Sequence, residues 1–84
     1  MRQKILIIDD MEFILFALKM LLSREGYHVF TACSYSDAME KMSGTDFNLM
    51  LTDIGLGDKT GLDVLKEVRK KDHFCPVILH TGAP

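Results

Sequence analysis

Three aspartates stand where two apolar runs end. Asp9 and Asp10 close Lys4-Ile5-Leu6-Ile7-Ile8, and Asp53 closes Leu49-Met50-Leu51-Thr52. One aspartate after a strand is an ordinary turn or helix-capping residue. If the two runs are neighbouring parallel strands, however, three carboxylates crowd a single pocket at the carboxyl edge of the sheet. Like charges held that close repel one another and make a strong site for a small divalent cation.

For the aspartates to meet, the elements around them must put the two runs side by side. Ile5 to Ile8 form an unbroken apolar run, the pattern of a strand buried on both faces. From Glu12 to Glu25, Ile14, Leu18, Leu21 and Leu22 recur at helical spacing, with Asp10 as the expected N-cap and Gly26 as the stop. His28 to Ala32 reads as a second strand. Ser34 or Ser36 caps a helix that runs to about Met42 and is ended by Gly44, and a turn at Gly44-Thr45-Asp46 leads into a third strand at Asn48 to Thr52. A glycine-rich loop follows. Thr60 then caps a helix whose apolar stripe is Leu62, Leu65 and Val68, and Pro76 opens a fourth strand, Val77-Ile78-Leu79-His80. This alternation of strand and helix specifies a parallel sheet with right-handed crossovers. Ligands of open α/β sheets bind beyond the carboxyl ends of the strands where the strand order reverses. With order 2-1-3-4 that point lies between strands one and three, the two strands that carry Asp9, Asp10 and Asp53.

Eighty-four residues make one domain, 1–84, with a marginal core. A hydrophobic content of 48% favours folding over disorder, and a formal net charge of −2 gives no basic footprint, so direct contact with nucleic acid by this segment is not expected. Cys33 and Cys75 are too few for a disulfide scaffold. The start Met-Arg-Gln-Lys leads into a short strand rather than a signal-peptide core, and no stretch is long enough to span a membrane. A cytoplasmic protein with reduced thiols is the expectation, with both cysteines buried and the methionines filling the core.

Taken together, these residues resemble the receiver domain of two-component response regulators. The matching elements are the acidic pair in ILIIDD, Gly26-Tyr27 before strand two, Asp53 after strand three, Gly61 eight residues on, and Pro76 opening VILHT with Thr81 at its end. The resemblance runs over the whole chain and implies a flavodoxin-like doubly wound parallel α/β sheet of order 2-1-3-4. The family's final helix-strand-helix portion is lacking, because the sequence stops at Pro84. By resemblance, Asp53 is the phosphate acceptor, Asp10 and Asp53 bind Mg2+ directly, Asp9 supports the metal through water, the Gly55 carbonyl is a further ligand, and Thr81 hydrogen-bonds a phosphoryl oxygen. The implied donor is a sensor histidine kinase or a phosphotransfer protein. Phosphorylation would switch the domain's surface rather than turn over a small substrate, so the chain is not expected to be an enzyme.

The chemistry fits that implication. An aspartate can attack a phosphoryl group in line, and Mg2+ neutralises the repulsion between carboxylate and phosphate while keeping several of its waters. The sequence departs from the family at Gly57, where proline is usual, and at Thr60, where Asp, Ser or Asn is frequent; both bear on loop stiffness. The family's lysine on a fifth strand, which would pair with the phosphoryl group and Asp53, has no counterpart in these residues. A second reading therefore stays open, that of a receiver-like interaction module unable to hold phosphate. A haloacid-dehalogenase-type phosphohydrolase is disfavoured, since the second Asp it needs would fall on Met11.

Two further features read as ordinary structure. Gly55-Leu56-Gly57-Asp58-Lys59-Thr60-Gly61 is not a P-loop, because Asp58 replaces the glycine required before Lys-Thr. His80 reads as a structural strand-end histidine. On the first helix, Phe13, Ala17 and Met20 on one side and Leu15 on the other widen the apolar face, leaving Glu12, Lys19 and Ser23 as its polar sector. That width, with an unpaired outer edge on strand four, implies a homodimer formed through the first helix or through strand four.

Overall fold

The apolar runs become one parallel sheet in the computed structural model, which describes residues 2–81. Pro84, where the sequence stops, lies outside the described residues. In chain order the elements are β1 (Lys4–Ile8), α1 (Glu12–Arg24), β2 (His28–Ala32), α2 (Tyr35–Gly44), β3 (Leu49–Asp53), β4 (Gly55–Leu56), β5 (Lys59–Thr60), α3 (Gly61–Lys71) and β6 (Val77–His80). The sheet order β2-β1-β3-β6 is the expected 2-1-3-4, since the fourth long strand is β6. The small antiparallel pair β4-β5 was read from sequence as a loop. Its two-residue turn, Gly57-Asp58, is a hairpin sequence, and Gly57 supplies the positive φ of 79° that such a turn needs.

Register is what brings the acids together. Ile8 pairs with Ala32 on one side and Thr52 on the other, so β1 and β3 end in step and Asp9 and Asp53 emerge at one edge. Asn48 clamps the opposite end: its side-chain oxygen accepts from the Lys4 N–H at 2.7 Å and its own N–H donates to the Lys4 carbonyl at 2.8 Å.

Alternation along β1 divides the core between the two faces of the sheet. Leu6 and Ile8 join Met50, Ala38, Met42, Val64 and Val68 beneath α2 and α3, whereas Ile5 and Ile7 join Val29 and Leu15 beneath α1. Two helices thus cover one face and a single helix covers the other. Beside α1 a trough of about 590 Å³ runs over Leu51 toward Asp9, Asp53 and His80.

The helix ends follow local chemistry, with some departures from expectation. Gly26, at φ 94°, donates to the Ser23 carbonyl while Tyr27 donates to that of Leu22, the paired bonds of a glycine-terminated helix. Asp10 is not the N-cap of α1; Met11 holds that place with no side-chain cap, and its N–H is taken instead by Asp9 Oδ1 at 2.9 Å. Ser34 caps α2 by accepting from the Asp37 N–H at 3.0 Å. Gly44 is the last residue of α2 rather than a left-handed stop, and Lys71 donates to the Met42 and Thr45 carbonyls just there. Thr60 and Asp63 form a reciprocal capping box at the start of α3.

Two helix faces are rotated from their expected positions. On α1 the core stripe is Leu15, Leu18 and Leu22, with Leu21 turned out; on α3 it is Gly61, Val64 and Val68, with Leu62 54% exposed. Cys33 is exposed, contrary to expectation, while Cys75 is buried and its thiol is pushed up by that burial and by the Asp72 charge. Met42 and Met50 fill the core as expected, but Met11 and Met20 do not.

Candidate functional site

Each site residue is placed by the end of an element. Asp9 follows β1, is 3% exposed, and has its backbone held by an N–H bond to the Ala32 carbonyl at 3.1 Å. Asp10 comes next and points into solvent-accessible space, and Asp53 is the last residue of β3, half-buried. Asp9, Asp10 and Asp53 each offer one carboxylate oxygen, and these three atoms lie within 4.8 Å of one another. An octahedral ion with bonds of about 2.1 Å sets its oxygen ligands about 3 Å apart in cis positions and about 4.2 Å in trans positions. A mutual separation within 4.8 Å is thus of the scale on which carboxylate oxygens gather about one small cation, directly or through water.

The loop after β3 is fixed from both sides. Ile54 donates to the His80 carbonyl at 2.8 Å and accepts from the Gly61 N–H at 2.7 Å, tying β6 and the start of α3 to the residue that follows Asp53. Gly55 opens the hairpin, and its N–H approaches Asp53 Oδ1 at 3.4 Å. Thr81 is exposed and directly follows β6, one residue past His80, the register partner of Asp53. The acidic pair, Asp53, Gly55 and Thr81 are thus all at the carboxyl edge of the sheet. The Gly-rich segment forms no phosphate cradle, because the first turn of α3 is closed by its own capping box.

One residue that reads as ordinary strand-end structure in the sequence is brought close to the acids by the fold. His80 directs Nε2 to within 4.0 Å of Asp9 Oδ2. No local pattern links residues so far apart in the chain; the β3-β6 register does.

The model of the response regulator receiver domain matches residues 5–84. The chain belongs to that family. Among relatives, the receiver domain is 39% identical over 75 residues to response regulator RR06 of Streptococcus pneumoniae; the match covers 89% of this chain and 34% of the relative. The chain therefore spans about a third of that relative's length. Its fold superposes on a CheY-like response regulator receiver domain protein from Methanospirillum hungatei with a TM-score of 0.93 at 34% identity, covering 100% of this chain and 67% of the other. It also matches TrrA of Thermotoga maritima, solved with Mg2+-BeF, at a TM-score of 0.88 and 34% identity over 96% of this chain and 70% of TrrA. TrrA in complex with the histidine kinase ThkA matches at 0.87 and 34% identity, over 98% of this chain and 71% of TrrA. Among the described residues no helix of the receiver domain is long and apolar enough to cross a membrane.

Proposed function

We propose that this receiver domain accepts a phosphoryl group on Asp53 from a sensor histidine kinase or phosphotransfer protein, with Mg2+ held by Asp10, Asp53 and the Gly55 carbonyl. Asp9 stands behind the metal and the Thr81 hydroxyl donates a hydrogen bond to a phosphoryl oxygen. The observation that carries the reading is the meeting of three carboxylates at the switch point of the sheet. The Mg2+-BeF complex of TrrA and its complex with ThkA support the metal and the kinase partner. Mg2+ supplies charge neutralisation between the carboxylates and the incoming phosphate. Of the chain's own groups, an Asp53 carboxylate oxygen would attack the phosphorus in line as the bond from phosphorus to the donor's imidazole nitrogen breaks, Asp10 would hold the cation with Asp9 behind it, and the bonds at Ile54 hold the acceptor's backbone still.

The domain works as a switch rather than as an enzyme with a small-molecule substrate, in the cytoplasm, without direct contact to nucleic acid. Homodimer formation through α1 or the β6 edge belongs to the same reading. It is supported by Phe13 and Phe16, each 68% exposed on α1, and by the exposed Ile78 on β6. A receiver-like interaction module that does not hold phosphate is the second reading, because among the described residues no lysine forms an ion pair with Asp53.

Acetyl phosphate with Mg2+, followed by intact mass, tests the proposal. A phosphoryl adduct is expected on the wild type and none on Asp53→Asn. A version extended through a further strand that carries the family's lysine is expected to give more adduct, since that charge assists the transfer. Equal adduct on wild type and Asp53→Asn would refute the acceptor assignment, and no adduct on either length would favour the interaction module.

A further inference from the structure

His80 ends β6 with its backbone locked, because its carbonyl accepts from Ile54 and its register partner is Asp53. Register partners in a parallel pair share a face of the sheet, and His80 lines the same trough as Asp9 and Asp53. Its Nε2 is buried and has no hydrogen-bond partner. A buried polar nitrogen without a partner is rare in a folded protein and calls for an explanation in terms of function or of an absent ligand. What it faces is Asp9 Oδ2 at 4.0 Å, about 1 Å beyond hydrogen-bonding distance. The other Asp9 oxygen is already held by the Met11 N–H, so the carboxylate can pivot about that bond to close the gap.

We propose that His80 is a positioning residue of the acceptor site. The imidazole carries its proton on Nε2, donates it to Asp9 Oδ2, and so fixes the buried carboxylate for the divalent cation. His80 is not itself a metal ligand, since the oxygens that share one small volume are those of Asp9, Asp10 and Asp53. This assignment rests on the Mg2+ reading above. Carboxylates around a metal site are commonly oriented by such hydrogen bonds, and losing an outer-shell partner typically lowers metal affinity 10- to 100-fold.

Mg2+ titrations of wild type, His80→Leu, His80→Gln and Asp53→Asn, with imidazole nitrogen NMR of the wild type, test this. Expected are a loss of about tenfold in affinity for His80→Leu, recovery for His80→Gln, whose amide can still donate, and a wild-type His80 protonated on Nε2 whose nitrogen signal moves when Mg2+ is added. Wild-type affinity in His80→Leu beside lost affinity in Asp53→Asn would overturn the role of His80 and leave the metal site standing. An unprotonated Nε2 would overturn it as well, even if His80→Leu failed to fold. A wild type that binds no Mg2+ would remove both.

Discussion

Gly61 is pressed so closely against Asp53 that a β-carbon built on it would lie 2.8 Å from the Asp53 carbonyl oxygen. The same carbon would lie 2.8 Å from Leu79 Cδ2 and 3.2 Å from Thr52 Cγ2. The absence of a side chain lets α3 start against the end of β3, and the Gly61 N–H bond to Ile54 is made across that contact. Gly61→Ala is therefore expected to destabilise the domain by about 1–3 kcal/mol, the usual cost of overpacking, and to shift the Asp53 backbone. Denaturant unfolding with an Asp53 amide spectrum checks it; unchanged stability and an unchanged spectrum would contradict the contact.

The start of α3 also depends on its cap. Thr60→Ala removes one half of the capping box and is expected to cost about 1 kcal/mol. Thr60→Ser keeps the hydroxyl and is expected to cost much less. Equal losses in the two variants would show that the methyl rather than the hydroxyl matters.

Acid should weaken the N-termini of α2 and α3. Burial works against the Asp37 charge, but the Cys33 N–H and the Lys41 ammonium outweigh it and hold the carboxyl below its ordinary value of 3.8. The Thr60 backbone N–H is the main cause of the same downward shift at Asp63. With folded values depressed, the unfolded chain binds more protons as pH falls. The contribution is complete above the unfolded value and disappears as pH drops through the folded ones. Stability measured from neutral pH downward should thus fall below about pH 4, and less steeply in a double Asp37→Asn, Asp63→Asn variant. Identical slopes would count against these two carboxyls as the cause.

Association should track the outward face of α1. Phe13 and Phe16, each 68% exposed, stay outside the core that Leu15, Leu18 and Leu22 enter. Sedimentation at micromolar concentration is expected to show a dimer that Phe16→Glu weakens, whereas an exchange through β6 would survive that change. A single species of 9.5 kDa in the wild type would refute the dimer.

Much of this architecture is legible in the residues themselves. Strand runs, the Gly26 stop, the caps at Ser34 and Thr60 and the convergence of three aspartates all depend on local pattern and known topology. What was misread depends on non-local packing. On α1 nearly every side of the helix is apolar, so periodicity alone does not say whether Leu15 or Leu21 turns inward; the sheet decides. Asp10 satisfies the composition of an N-cap, yet it stands beside Asp9 and Asp53 while Asp9 takes the Met11 N–H. The β4-β5 hairpin carries a local signal in Gly57-Asp58, but strands of two residues each are too short to show the alternation that marks a strand. His80 reads as an ordinary strand end until the pairing of β3 with β6 sets it against Asp9.

The proposed function requires that Asp10 and Asp53 hold a divalent cation at the end of β1 and β3, with Asp9 behind them. Calorimetric or NMR titration of Mg2+ into the wild type, Asp10→Asn and Asp53→Asn measures it directly. Saturable binding to the wild type is expected, with loss of most of that affinity in each variant and shifts in the wild type centred on residues 9–10 and 53–55. Equal affinity in all three proteins would contradict it.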